Sequence, residues 1–466
     1  MADMAAFPPD SLARWTGGRW TATPVSPLTG FATDTRQLGA GQVFVALRTD
    51  KRDGHDFLAA AQAAGAGAAI VATANPAITL PQLVVADPLF AFQAIAREHR
   101  RAFPGPVIGI SGSAGKTSTK NLLALLLGGE PAVLATEGNL NNHLGVPLTL
   151  TRLDPAQHKF AVVEAGISEP GEMKVLAGMI EPDIAIITLV APAHLEELGG
   201  LEGVAREKAV LPAAIRAAGV AIFPRQCAAF TAFHELDVRT MVVEPAEVIR
   251  PTEPPKDRVY FAITQRGENT AIALAYGPPP PLVFTLRRVS DGMAQNAALA
   301  LCAALWLGVP RDVIQSRLAL WAPAKLRGEL RREGGRLLYL DCYNANPASM
   351  TDALATFEAV APAGEPRLFV LGGMEELGAN AAAYHRALGR SLHLRSQDFL
   401  FVIGDHADEV RTGALENGNR AEQMSVVRSL EPVTERLAEF QGAVFLKGSR
   451  RWQLERVLEP GVAAAH

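Results

Sequence analysis

The sequence predicts an α/β protein of three domains, and three observations lead to it. Its 466 residues exceed what one hydrophobic core organises, so two or three domains are expected. Short apolar runs of strand length alternate with longer helical segments, the pattern of parallel sheets joined by helical crossovers. One such run, Val107 to Ile110, enters a glycine-serine turn ending in Gly115-Lys116-Thr117 and then a leucine-rich helix over 121–127.

Residues 1–104 read as a small α/β domain. Gln42–Leu47, Ala68–Ala72 and Leu83–Asp87 are strand-like, with an alanine-rich helix over 56–64 between the first two. Polar residues cluster at Thr33-Asp34-Thr35-Arg36 and at Arg52-Asp53-Gly54-His55. The planar fork of Arg36 suits a phosphate or carboxylate, although on spacing alone a solvated loop is the preferred reading. Pro104-Gly105-Pro106 is the linker to the next domain.

Residues 105–323 read as a central P-loop domain. In Gly112-Ser113-Ala114-Gly115-Lys116-Thr117-Ser118 the glycines let backbone N–H groups face phosphate oxygens, and the helix that follows adds partial positive charge. Lys116 then reaches the terminal phosphates and Thr117 places a hydroxyl on magnesium. The match to the long phosphate-loop pattern is imperfect, because Ile110 stands where its first glycine belongs. The loop over 136–147 holds Asn139, Asn141 and Asn142, which can hydrogen-bond a sugar or diphosphate or simply form turns. Lys159–Glu164 and Asp183–Val190 are further strands; the first ends on Glu164 and the second precedes Pro192-Ala193-His194. Strand C-termini of a parallel sheet share one edge, so the glycine turn, Glu164 and His194 are expected at one crevice. Glu164 near the phosphates would hold magnesium directly or through water.

By spacing, Lys208 on a helix over 201–211 is a solvated charge beside Arg206 and Glu207. Gly219–Phe223 is another strand. Asp257–Thr264, Thr270–Tyr276 and Pro281–Arg287, separated by Gly/Pro turns, predict a small antiparallel sheet added to this domain. An apolar helix over 294–307 carries Asn296 in its first turns.

Residues 324–466 repeat a strand-then-polar-loop theme at Leu337–Asp341, Arg367–Leu371, Phe399–Ile403 and Ala443–Leu446, which predicts a Rossmann-like sheet without a second phosphate loop. Asp341, at a strand end, can reach a ribose or phosphate, or cap a helix.

The net charge of −4, from 44 basic and 48 acidic residues, gives no polyanion-binding surface and argues against nucleic acid. Cys227, Cys302 and Cys342 lie far apart without metal spacing, as unpaired thiols in a reducing cytoplasm would. Met1–Asp10 lacks the basic flank and apolar core of a signal peptide, and no run reaches the length of a membrane span.

Gly112–Ser118, Gly138–Leu148, Pro192–Glu196, Tyr343-Asn344-Ala345-Asn346-Pro347 and Lys447–Arg450 together resemble the Mur ligase family of cell-wall enzymes, over almost the full length. The Tyr343–Pro347 string, with Thr33–Arg36, Val43–Leu47 and Asp53–His55, is most similar to members that join D-alanyl-D-alanine to UDP-N-acetylmuramoyl-tripeptide. The resemblance implies an ATP-dependent, magnesium-dependent ligase with those two substrates, monomeric, cytoplasmic, not inserted in a membrane. It implies that the loop from Gly112 to Ser118 binds the β- and γ-phosphates, with Lys116 catalytic. It further implies metal roles for Thr117, Glu164, His194 and Lys208, the last as a carbamylated, anionic lysine. Asn296, Arg327, Asp341, Asn344 and Asn346 would surround the nucleotide, and Thr35, Arg36, Asn139, Asn141 and Asn142 the UDP-sugar. Gly292 and Met293 depart from the family's usual His-Asn. Two rivals are a related ligase adding another amino acid, as in folate polyglutamylation, and a P-loop switch without ligase chemistry. The first- and third-domain strings argue against the former, and the two extra α/β domains against the latter.

Overall fold

Alternating apolar runs and amphipathic segments fold into three sheets in the computed structural model, which describes residues 7–249 and 256–458. Met1–Ala6 of the segment read for a leader, and the last residues of the third domain, lie outside the described residues.

The first sheet has five strands: β1 (Arg19–Trp20), β2 (Phe31–Ala32), β3 (Val43–Val45) and, beyond a small hairpin of β4 (Arg48–Thr49) and β5 (Arg52–Asp53), β6 (Ala68–Val71) and β7 (Gln82–Val84). Their order is β1-β7-β6-β3-β2, parallel except at the β1 edge. Asp53-Gly54-His55 proves structural. The Asp53 carboxylate bonds Arg48, the His55 ring and the His55 N–H, and His55 Nε2 accepts from the Ala72 N–H at 2.9 Å. A Cβ on Gly54 would lie 2.6 Å from the backbone of Ala46 and Leu47, so only glycine fits.

Helix Pro88–Ala102 then starts on Asp87, whose carboxylate accepts from the Leu89 and Phe90 N–H groups, with Pro88 in the first turn. Its buried Arg100 donates to the Ile180 and Glu181 carbonyls and to Asp183, which also accepts from the Val107 N–H. This polar knot fixes the entry into the central sheet.

The central sheet contains β8 (Val107–Ser111), β9 (Val133–Ala135), β10 (Phe160–Glu164), β11 (Ile184–Ile187), β12 (Val220–Pro224), β13 (Thr240–Pro245), β14 (Arg258–Arg266), β15 (Asn269–Ala275) and β16 (Leu282–Arg287). The order is β16-β15-β14-β13-β12-β11-β8-β10-β9. The last three strands in sequence are antiparallel, as predicted, but they do not stand apart. β14 runs parallel beside β13, so the hairpins extend the same sheet. Backbone groups at the β13 edge are satisfied by continuation, and alternating burial along β14 to β16 leaves one face for the core. Helices Lys116–Leu127 and Asp291–Trp306 pack on one face; Glu172–Ile180 and Leu201–Ala213 pack on the other.

The third sheet has six strands, two more than predicted: β17 (Glu329–Glu333), β18 (Arg336–Asp341), β19 (Arg367–Gly372), β20 (Phe399–Ile403), β21 (Met424–Val427) and β22 (Ala443–Lys447), ordered β17-β18-β22-β19-β20-β21. All neighbours are parallel except β17 and β18. Stacked aromatic side chains, Tyr339 on Phe445 with Phe357 and Phe369 around them, fill one side.

Candidate active site

β8 lies between β10 and β11, with β9 and β10 on one side and β11 onward on the other, so the sheet changes winding direction at β8. Ligands of such sheets sit outside the strand C-termini at this point. Register places Glu164 opposite Ile110, and Ile187 opposite Ser111. The glycine turn, Glu164 and the chain after β11 therefore meet at one edge, as the parallel pattern required.

The turn is locked from below. Gly112 has φ +149°, and a Cβ there would fall 1.9 Å from Thr188 Oγ1; the same hydroxyl donates to the Ala114 carbonyl. Gly115, at φ +80°, faces Asn296, whose Nδ2 would lie 2.2 Å from a Cβ. Lys116 bends back to the Gly112 carbonyl at 2.9 Å. Burial pushes its ammonium down, with Glu164 opposing.

A cleft of ≈ 360 Å³ opens over this turn. It is lined by Ser113 to Ser118, Asn141, Glu164 and Asn296, and from the third domain by Arg327, Asp341, Asn344, Asn346 and Lys447. Twelve of the sequence-predicted nucleotide and metal positions thus share one space. Asn346 caps helix Pro347–Val360 through a reciprocal bond with Ser349, and its Nδ2 donates to the Ser113 carbonyl across the two domains at 3.2 Å. Gly292 N–H donates to Asp352 of that helix at 2.9 Å, and a Cβ at 292 would strike the Asp352 carboxylate at 2.7 Å. The departure at Gly292 therefore makes room for an interdomain bond. The Arg327 guanidinium lies over the Tyr343 ring at 3.9 Å.

Glu164 is buried, yet only one carboxylate oxygen is engaged: Oε1 accepts from Asn141 Nδ2 at 2.8 Å, and Oε2 has no partner. An orphaned buried carboxylate oxygen beside the Thr117 hydroxyl and a phosphate turn fits magnesium, a hard cation that takes few protein oxygens and completes its shell with phosphate and water. Among the described residues no group of three or more His, Cys, Asp and Glu forms a ready-made metal cage.

Other predicted residues lie elsewhere. His194, in a left-handed conformation at φ +52°, is paired through Nδ1 with Glu376 of the third domain at 2.9 Å and does not line the cleft. Lys208 contradicts the reading of a solvated charge, because it is 3% exposed. Its helix turns it inward, and burial, aided by repulsion from Lys116, pushes its ammonium down to about 7. Arg36 is exposed and forked onto Asp34 at 2.6 Å, which holds that carboxyl near 2. The Asn142 side-chain oxygen accepts from the Leu144 and Gly145 N–H groups in the turn before helix Gly145–Leu150, and Asn139 is exposed. A second cavity of ≈ 500 Å³ lies between Thr29–Asp34 of the first domain and Glu137, Leu140, Arg152 and His158 of the central one. Thr35, Arg36 and the asparagine loop flank it.

Sequence reasoning passed over three residues. Thr188 braces the turn. Glu376 bonds His194. Lys447, 1% exposed at the end of β22, bonds Asp341 Oδ2 at 2.6 Å and the Asn344 carbonyl. Lys447 stands in the Lys447–Arg450 string that carries part of the family resemblance, where it was assigned no role of its own.

Fold and site define a P-loop α/β protein whose phosphate turn is covered by a second α/β domain. Residues 110–253 match the Mur ligase middle domain, and residues 326–450 match the Mur ligase glutamate ligase domain. The chain belongs to the Mur ligase family. It is 31% identical to the UDP-N-acetylmuramoyl-tripeptide--D-alanyl-D-alanine ligase of Escherichia coli K12, covering 92% of this chain and 93% of that one. With the Synechocystis enzyme of the same name it shares 34% identity over 85% of this chain and 84% of that one. Among solved structures, MurF from Acinetobacter baumannii superposes with a TM-score of 0.86 at 28% identity, covering 98% of each chain. The MurF ligase from Thermotoga maritima in complex with ADP gives 0.77 at 25% identity, over 92% of this chain and 96% of that one.

Proposed function

We propose that this chain joins D-alanyl-D-alanine to UDP-N-acetylmuramoyl-tripeptide with cleavage of ATP to ADP and phosphate, as a step of peptidoglycan synthesis. The observation that carries the reading is the convergence of the phosphate turn, the half-engaged Glu164 and the third-domain residues Arg327, Asp341 and Asn346 on one cleft. In our reading residues 1–104 receive the UDP-sugar, 105–323 the ATP, and 324–466 close over the nucleotide and contribute dipeptide contacts. In the same reading the enzyme works in the cytoplasm as a monomer. Among the described residues no helix is long and apolar enough to cross a membrane.

The peptide carboxylate attacks the γ-phosphorus, breaking the bond to ADP and forming an acyl phosphate. The dipeptide amine then attacks the acyl carbon, and phosphate leaves with the bonding pair. The carboxylate, the phosphates and the oxyanion that develops at the acyl carbon are all negative, so the barrier is lowered chiefly by fixed positive charge. Lys116 and the N–H groups of residues 112 to 118 hold the β- and γ-phosphates. Thr117 and the free oxygen of Glu164 would hold magnesium, which when bound neutralises phosphate charge. Arg327, Asp341, Asn344 and Asn346 hold the nucleotide's remaining groups, with Asn296 backing Gly115. Thr35, Arg36, Asn139 and Asn142 serve the UDP-sugar side, while the Asn141 amide is committed to Glu164 in the ATP cleft. His194 acts from its pairing with Glu376. Lys208, with an ammonium near 7, is substantially free amine at neutral pH. That form adds carbon dioxide, releasing a proton and leaving an anionic carbamate.

A substrate-matrix assay tests the reading. ADP release should require ATP, UDP-N-acetylmuramoyl-tripeptide and D-alanyl-D-alanine together. Equal release with single amino acids in place of the dipeptide would overturn it.

A further inference from the structure

Lys120 stands one helical turn beyond Lys116 on helix Lys116–Leu127 and is 3% exposed. A buried ammonium is costly, and an apolar side chain of its length would pack there at less cost. Its Nζ donates to the Thr136 carbonyl, at the end of β9. The Thr136 N–H donates to the Val162 carbonyl, and the Thr136 hydroxyl accepts from the Glu164 N–H at 2.9 Å. Further along the loop, Asn141 Nδ2 holds Glu164 Oε1, and the Asn141 carbonyl accepts from the Gly166 N–H at 2.8 Å. Gly166 is pressed so close to Asn141 that a Cβ would lie 2.9 Å from its amide. The loop from Thr136 to Asn141 thus wraps Glu164 from its main chain to its carboxylate, and Lys120 is the cation that pins its start.

We propose that Lys120 is a positioning residue. Its ammonium fixes Thr136 and, through Thr136 and Asn141, holds the Glu164 carboxylate in the one orientation that leaves an oxygen free for a cation. The inference rests on the reading that Glu164 receives the magnesium accompanying ATP. Partners that orient a metal ligand from behind typically account for about 10- to 100-fold in metal affinity.

The test is calorimetric binding of a non-hydrolysable ATP analogue to the full-length protein, in magnesium and in EDTA. For Lys120→Met the gain in affinity conferred by magnesium should fall about tenfold, well beyond any loss in EDTA. Thr136→Val should do the same, and Thr136→Ser, which keeps the hydroxyl that receives the Glu164 N–H, should restore the gain. If Lys120→Met does not fold, Lys120→Gln, which also lacks the ammonium that bonds the Thr136 carbonyl, is measured in its place with the same two outcomes. A full magnesium gain in folded Lys120→Met, or in Thr136→Val, overturns the proposal. Glu164→Gln is measured in parallel: a full gain there overturns the Glu164 reading itself, whereas a full gain in Lys120→Met alone overturns only the role of Lys120.

Discussion

Lys208 shows how far one residue's chemistry depends on its surroundings. A free lysine is charged well past neutrality, but here burial and the neighbouring Lys116 bring its ammonium to about 7. The unfolded chain binds the proton more tightly than the folded one, so this group's contribution to stability rises with pH. The penalty is complete below about pH 7 and fades as pH climbs toward the ordinary lysine value of 10.5. At about 1.4 kcal/mol per pH unit, it reaches a few kcal/mol. Lys208→Met should therefore raise Tm in carbon dioxide-free buffer, more at about pH 6.5 than at about pH 9, while lowering turnover. A thermal melt at the two pH values checks the sign; a gain that grew with pH would contradict it. The burial itself was not legible. Helix Leu201–Ala213 carries Arg206, Glu207 and Lys208 in a row, and only the packing of its neighbours decides which of the three turns inward.

At the scale of elements, the strand–turn–helix around Gly112 was readable because local rules govern it. The crevice shared with Glu164 was readable because parallel strands present their C-termini at one edge. The joining of β14 to β13, and the addition of β17 and β21, were not: which strands become neighbours is decided by packing between distant segments. Nor did the pattern reveal that Asp53-Gly54-His55 is a clamp inside the first domain, since its partners Arg48 and Ala72 are set by the fold. The turn makes a direct prediction. Gly112→Ala must place a methyl group against Thr188 Oγ1 and hold alanine at φ +149°. Strain of about 1–3 kcal/mol is expected, so ATP affinity should fall roughly tenfold or more while far-ultraviolet circular dichroism stays native. Retained affinity would show that the turn is not the phosphate cradle.

At the scale of the molecule, the contacts that join the third domain to the central one include Asn346 to Ser113, Asp352 to Gly292, and Glu376 to His194 and to the Leu195 N–H. Each lies at or beside the phosphate turn, so docking of the third domain and completion of the cleft are one event. Asp352→Ala removes the acceptor of the Gly292 N–H and should weaken ATP binding by about 1 kcal/mol, roughly fivefold, through a less firmly docked third domain. Solution scattering with ATP and UDP-tripeptide should then give a larger radius of gyration for the variant than for the parent; equal radii would count against the contact as a closure element. A further prediction concerns the third domain's own integrity. Arg367 and Asp398 form an almost fully buried pair at 2.5 Å. Asp398→Ala leaves the buried guanidinium only the more distant, half-exposed Glu358 at 3.7 Å and should cost about 3 kcal/mol, read as a lower denaturant midpoint.

In the proposed reaction the γ-phosphoryl group passes to the peptide's carboxylate before the amide forms. The most direct measurement uses UDP-N-acetylmuramoyl-tripeptide labelled with oxygen-18 in the reacting carboxyl group, turned over with ATP and D-alanyl-D-alanine, with the released phosphate analysed by mass spectrometry. Each phosphate is expected to carry one labelled oxygen, brought from the carboxylate through the acyl phosphate. Amide product accompanied by unlabelled phosphate would contradict the proposed reaction.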